Sequence, residues 1–391
     1  MQKNIFKLGG IRSYCTAPFK NKVNGIVSNT NNNNNKTNES LIINSRNLLF
    51  HGRQLLERGD LNQAEKMIVH SFRNFKKKID INSSLFAVPS HAVGLVSLKK
   101  GKYLKGEQFF KLSLDRSETD SSYVYRNSIE TSNDLGLSLL RQGKTQESFE
   151  QFQKALNLAL EYQMYSLVAS IYTNLGEYYK DMCYYDKSKF YHGIAHSRLM
   201  TYSSPGLDMA RCFLNRSQIS RLSGEMEQSK EFLFEGSGIL IRYLKRMGYS
   251  SNLPKHMDWA KTLIEFGHYY YKSGDVDKAK KKLNSAKKIF EEMNIKSIPD
   301  AVINTLNLAI IEKNLQLAPT TPASEQQQSD IYINKLLSEI QKPFKELQAE
   351  KFNPKLNRFS NTFECLKNQK IQKPIPLIEN LHFQLSGMIN F

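Results

Sequence analysis

Six cations stand at one recurring place in this chain of 391 residues and are its best candidates for binding chemistry: Lys99, Arg141, Lys180, Arg221, Lys272 and Lys313. Each lies near the end of a stretch with helical apolar spacing. Cations in series suit an acidic or phosphorylated segment, because a hydrogen bond between charged partners is the stronger kind. The same place has a structural reading: Lys and Arg favour helix C-termini, where they offset the macrodipole and satisfy the last carbonyls. The sequence leaves both readings open.

Other reactive residues are less promising. His192 and His196 lie four apart on a predicted helix, a spacing that can hold a metal, but no third ligand is placed to help and His192 falls on a packing position. Tyr172, Tyr178, Tyr179, Tyr184, Tyr185 and Tyr191, with Tyr269, Tyr270 and Tyr271, resemble a stacking platform for bases, yet their spacing commits several rings to helix packing. Lys280, Lys281, Lys282, Lys287 and Lys288 read as a solvated helix face. Cysteines at 15, 183, 212 and 365 share no CxxC spacing, which disfavours metal clusters and disulfide frameworks. No phosphate loop, nucleophile elbow, HExxH or paired-carboxylate pattern occurs. The expectation is a protein without catalytic residues, metal or cofactor.

The elements that position these residues repeat. A turn phrase recurs at Gly59, Gly101, Gly143, Gly224 and Gly274, and seven residues before each stands a small residue: Gly52, Gly94, Gly136, Ser217 and Gly267. Gly176, with Cys183 in place of the turn glycine, and Ala309, with no glycine after it, extend the series. Successive small residues are separated by 42, 42, 40, 41, 50 and 42 positions, a period that marks stacked helix pairs. After each turn comes a small-large-small stripe, such as Ser148, Phe152 and Ala155 or Ala279, Leu283 and Ala286. At helical spacing this lets two helices approach closely while the large side chain fills the groove. Long Pro-free windows at 129–142, 146–162, 256–273 and 276–293, without sustained alternation, make the fold class all-α.

The phrases Asn133-Asp134-Leu135-Gly136, followed by Gly143, Ser148, Phe152 and Ala155, and Glu265-Phe266-Gly267-His268, followed by Gly274, Ala279, Leu283 and Ala286, resemble the tetratricopeptide repeat (TPR) family. The resemblance covers 39–348 and implies a right-handed superhelical solenoid of about seven TPR-like antiparallel helix pairs. The period exceeds the usual 34, so both helices are expected to be about a turn longer. The seventh copy is expected to carry a flexible loop over Leu317–Ser329 before its second helix runs from Asp330 to Gln348, with Pro343 in the insert and tail. In the family the first helices line a concave groove, so the six cations would form a rim ladder. The family's clamp for chaperone tails, a Lys followed one turn later by Asn, is absent at the matching places, which hold Leu49 and Arg53, His91 and Leu95, Asn133 and Leu137, Thr173 and Glu177, Leu214 and Gln218, Ile264 and His268, and Leu306 and Ile310.

Residues 1–38 carry Lys3, Lys7, Arg12, Lys20, Lys22 and Lys36 with no acid before Glu39, and Arg12-Ser13-Tyr14 followed by a small residue resembles a matrix-processing pattern. This reads as a mitochondrial presequence, cleaved after Tyr14. The Asn tract 29–38 reads as a disordered linker. The leader supplies six of the formal +18, leaving +12 on 39–391. A positive field of that kind attracts nucleic acid, anionic lipid or an acidic protein. No 18-residue apolar run occurs, so no spanning helix is expected, while association with a membrane surface stays open. Residues 349–391 are basic and rich in Phe, Leu and Ile, and part of them is expected to cap the array. The leading expectation is a non-enzymatic scaffold or assembly factor of the mitochondrial matrix that holds a partner segment in the groove. The alternatives are an organellar RNA-binding repeat protein and a cytosolic cargo adaptor.

Overall fold

The structure is a computed structural model and describes residues 32–80, 83–117, 122–202, 206–249, 255–317, 322–349, 357–368, 371 and 373–378. The leader with its processing pattern, and Leu381, Phe383, Leu385, Ile389 and Phe391 of the tail, lie outside the described residues. Among those described there are fifteen α-helices, one short 3-10 turn and no strand. Seven antiparallel pairs follow one another: α1 (Asn32–Glu57) with α2 (Leu61–Lys78), α3 (Ala87–Lys99) with α4 (Tyr103–Asp115), α5 (Ser122–Arg141) with α6 (Thr145–Glu161), α7 (Tyr165–Asp181) with α8 (Tyr185–Tyr202), α9 (Leu207–Leu222) with α10 (Met226–Arg246), α11 (Met257–Lys272) with α12 (Val276–Glu292), and α13 (Pro299–Gln316) with α14 (Ala323–Ala349). A last helix, α15, spans Asn357–Lys367.

The stripe seen in the sequence is the seam inside each pair. A β-carbon on Gly94 would come within 2.6 Å of the Phe110 ring, one on Gly136 within 2.7 Å of Phe152, and one on Gly267 within 2.5 Å of Leu283. Gly52 and Gly176 meet Ile68 and His192 in the same way. The backbones can therefore close only where the first helix lacks a side chain. Serine on the second helix tightens the seam: Ser148 Oγ donates to the Gly136 carbonyl at 2.7 Å and Ser188 Oγ to that of Gly176 at 2.8 Å. Ser217 replaces the glycine in the fifth pair and donates to the Ser229 carbonyl at 2.9 Å. Ala309 is fully buried.

The turns need left-handed backbone. Gly143 has φ 73°, and its neighbour Lys144 returns a hydrogen bond to the Leu139 carbonyl at 3.0 Å, sealing the end of α5. Cys183 takes the same conformation at φ 61° in the fourth copy.

Two boundaries and the place of one proline differ from the sequence reading. α1 begins at Asn32, within the Asn tract, because adding turns to a helix already held by packing avoids the cost of nucleation. α14 begins at Ala323, not Asp330, and residues 323–329 are helical rather than loop. Gln316 Nε2 donates to the Gln326 carbonyl and to Asp330 Oδ1, both at 2.8 Å, which pins these glutamine-rich turns to α13. Pro343 lies inside α14, where burial of Ile340 and Phe344 outweighs a proline cost of about 3 kcal/mol.

The array curves until its ends meet. Leu49, Leu56 and Leu61 of the first pair share a core with Met257, Phe290, Ile295 and Ala301 of the last two pairs. Tyr249 Oη donates to the Arg58 carbonyl at 2.7 Å, and Asn62 Nδ2 to that of Asn294 at 3.0 Å. Closure gathers the concave face around one shared, partly open space.

Candidate partner-binding cavity

The first helices of all seven pairs line a cavity of about 620 Å³. Its walls include Arg53, Leu95, Leu137, Glu177, Leu214, Gln218, Ile264 and His268, all among the groove positions inferred from the family pattern. The other face of each first helix is committed to the seam with its own second helix, so the remaining face is what the cavity shows.

Charge on this wall is balanced. Arg53, Lys99, Arg141, Lys180, Arg211 and Lys261 face Glu57, Asp134, Glu177, Asp258, Glu265 and Asp300. Of the six cations singled out in the sequence, Lys99, Arg141 and Lys180 line the cavity, whereas Arg221, Lys272 and Lys313 do not.

Three of the six, Arg141, Lys180 and Arg221, are engaged by the next inner helix. Arg141 reaches Asp181 at 3.0 Å and Glu177 at 3.4 Å on α7. Lys180 contacts Glu177 at 2.5 Å and Gln218 of α9 at 2.9 Å. Arg221 forms a two-pronged pair with Glu265 of α11 at 2.8 and 2.9 Å, both side chains being buried. Lys272 donates to the Arg221 carbonyl, and Lys313 meets Gln316 at 2.8 Å and Asp330 at 4.0 Å. Three further links, unremarked in the sequence, do the same work: His91 to Asp134 at 2.9 Å, Arg211 to Asp258 at 2.9 Å, and Lys261 to Asp300 at 3.0 Å. The signal was available, since Asp181 and Glu265 stand about one repeat after Arg141 and Arg221.

These links fix protonation. Burial alone would raise the Glu177 pKa, but Lys180, Arg141 and His192 outweigh it and hold the carboxyl at about 2. Burial would likewise raise Asp258, and Arg211 holds it well below the usual carboxylate range. Lys99 is the exception. Among the described residues no hydrogen bond or ion pair ties it, and burial together with the nearby Arg211 charge lowers its pKa to about 8. A half-buried ammonium beside other cations, with Asp258 and Asp134 only partly compensating, is a place where a ligand carboxylate gains most.

The other candidates resolve into packing. His192 is fully buried where other pairs place Phe110 and Phe152, and burial lowers its pKa to about 4. His196 sits apart against the Phe213 ring, with centroids 5.0 Å away. Among the described residues no group of three or more His, Cys, Asp or Glu is placed to hold a metal ion. Tyr179 stacks on Tyr191 at 5.1 Å, and Tyr172 packs on the same ring at 5.9 Å, all between α7 and α8. Lys280 and Lys287 pair with Glu312 and Glu339. No helix among the described residues is long and apolar enough to cross a membrane.

The C-terminal end of the inner face is filled. Phe363 of α15 stacks on Phe344 of α14, and Ile371, Leu377 and Ile378 join the core of the last pair. Residues 374–378 run extended along α13. Asn314 donates to the Ile375 carbonyl at 2.7 Å and accepts from the Ile375 N–H at 2.9 Å. Asn307 does the same for Ile378, at 2.8 and 2.7 Å.

No family model and no curated protein matches this sequence. Solved structures do match in fold. A Rap protein complexed with competence and sporulation factor aligns with TM-score 0.59 at 14% identity, covering 85% of this chain and 81% of that one. The Rap conjugation gene regulator of plasmid pLS20, in complex with the Phr* peptide, aligns with TM-score 0.58 at 17% identity, covering 83% and 80%. Aspartyl phosphate phosphatase F from Bacillus subtilis aligns with TM-score 0.54 at 12% identity, covering 79% and 73%. At these identities the likeness is one of fold, and the fold is an all-α solenoid of TPR-like helix pairs.

Proposed function

We propose that this protein is a non-enzymatic scaffold whose inner face holds an extended segment of a protein partner. The observation that carries the reading is the open cavity of about 620 Å³, walled by the first helix of every pair and furnished with amides, paired charges and Lys99. Such a wall recognises backbone and carboxylate groups without chemistry of its own. Two neighbours of similar fold were solved in complex with competence and sporulation factor and with the Phr* peptide, which supports a peptide ligand for this shape.

Six cations opposite six anions give the wall no net positive field, which weighs against RNA inside it. Filling the cavity tests the reading. Asn215→Trp projects a large ring from α9 into the space and is expected to abolish partner capture while leaving helical content and unfolding midpoint unchanged. Undiminished capture would refute it.

The compartment we propose is the mitochondrial matrix, on the strength of the acid-free leader and its processing pattern. That plan resembles the mitochondrial assembly factors of the repeat family, tetratricopeptide repeat protein 19 among them. Fusing residues 1–38 to a fluorescent protein tests it; diffuse cytosolic signal would favour the cargo-adaptor alternative.

A further inference from the structure

Asn307 and Asn314 are seven residues apart on α13, a rise of about 10.5 Å along a helix. Ile375 and Ile378 are three apart in an extended chain, about 9–10 Å. The two spacings match, so each asparagine meets one residue of the tail and completes both hydrogen bonds of its backbone. The tail runs opposite in direction to α13. Pro374 and Pro376 favour extended backbone for this segment and have no N–H to leave unpaired.

The asparagines are themselves held in place. Asn314 Nδ2 also donates to Tyr271 Oη at 2.6 Å, and Asn307 Nδ2 lies 3.1 Å from His268 Nε2. His268 and Ile303 belong both to this neighbourhood and to the cavity wall, so the tail sits at the margin of the same inner surface. Only backbone atoms are read by the amides. The side chains of Leu377 and Ile378 are buried against the last pair, while Pro374 and Pro376 point outward. Asn174 and Asn215, two residues before Gly176 and Ser217, repeat the register of Asn307 before Ala309 and line the open cavity.

We propose that Asn307 and Asn314 form a backbone clamp for an extended apolar peptide with buried residues at its C-terminal end, and that the chain's own Pro374–Ile378 occupies it as a tethered competitor. The proposal deepens the scaffold reading and rests on it. A partner segment of the same chemistry enters at this end by displacing the tail, then continues along the inner face past Asn215.

The test uses the full chain and a synthetic peptide of residues 373–379 carrying a fluorophore. Ile375→Pro with Ile378→Pro removes both tail N–H donors and should free the clamp, so peptide affinity rises by at least about tenfold over the unmodified chain, where the tail competes. Adding Asn307→Ala and Asn314→Ala should remove that binding, and a peptide bearing the same two prolines should not bind. In the unmodified chain, the Ile375 and Ile378 amides should exchange slowly with deuterium, and excess peptide should speed them. Equal affinity for freed and unmodified chains, binding that survives loss of both asparagines, or amides that exchange as fast as in the free peptide would each overturn the proposal. Failure here with partner capture abolished by Asn215→Trp removes the clamp alone; undiminished capture in Asn215→Trp with peptide binding at the clamp intact removes the cavity reading alone.

Discussion

Between α5 and α11 the inner helices meet through charges, whereas at α13 the inner surface meets the chain's own tail through amides. In the first region Arg141, Lys180 and Arg221 each find partners on the next inner helix, and the cavity stays open. In the second, Asn307 and Asn314 find theirs on residues 375–378, and the surface is covered. An arginine satisfied by a fixed carboxylate leaves the chain free to go elsewhere. A buried amide has both a donor and an acceptor to satisfy, and an extended backbone supplies both at once.

The comparison breaks most visibly at the Arg221–Glu265 pair. Arg221→Ala leaves a buried carboxylate without its partner and should cost about 3–5 kcal/mol, whereas Arg221→Met with Glu265→Leu should come back near neutral. Urea unfolding measures both, and equal losses would show that the pair is not what joins α9 to α11. Next comes the seam. Gly267→Ala places a methyl 2.5 Å from Leu283 Cδ2 and should cost about 1–3 kcal/mol, far more than alanine at an exposed helical position. If unfolding shows no loss, the close approach is not tight.

A pH series adds a second contrast, because His192 and Glu177 titrate beside the charged links, whereas the amides of Asn307 and Asn314 carry no proton to gain or lose. His192 is neutral in the fold with its pKa at about 4, against 6.5 ordinarily, so the unfolded chain binds the extra proton and stability falls as pH drops from 6.5 toward 4. Glu177, held at about 2, adds a second loss as pH falls below 4.5. His192→Phe, which restores the ring found at Phe110 and Phe152, should flatten the first window and keep the second. A slope unchanged in that variant would assign it to other groups. The smallest effect is expected at Lys99. Burial makes its charge unfavourable below pH 8, so Lys99→Met should leave stability unchanged or slightly raised while weakening partner capture.

The repeat architecture was legible because a seam needs a small residue opposite a large one, and Gly94 with Phe110 or Gly267 with Leu283 writes that need directly into the sequence. Even His192 could be assigned to packing from its place in the stripe. The use of the six cations was harder to read. A lysine or arginine near a helix end looks the same whether it faces a ligand or an acid one repeat away, and only three-dimensional stacking brings Arg141 to Asp181. Closure of the ring was equally hidden, because Tyr249 meeting the carbonyl of Arg58 depends on curvature summed over five repeats. The tail's apolar residues announced a packed segment, but its backbone pairing with Asn307 and Asn314 leaves no mark in composition.

Site-specific photo-cross-linking tests the central claim most directly, with a benzophenone side chain at Asn215 on the cavity wall or at exposed Lys230 on α10 in the full-length protein. Adducts at position 215 are expected to map to one extended stretch of a protein partner and to be diminished by Lys99→Met, with none of that stretch at 230. Adducts at 230 alone, or nucleic acid as the species attached at 215, would contradict it.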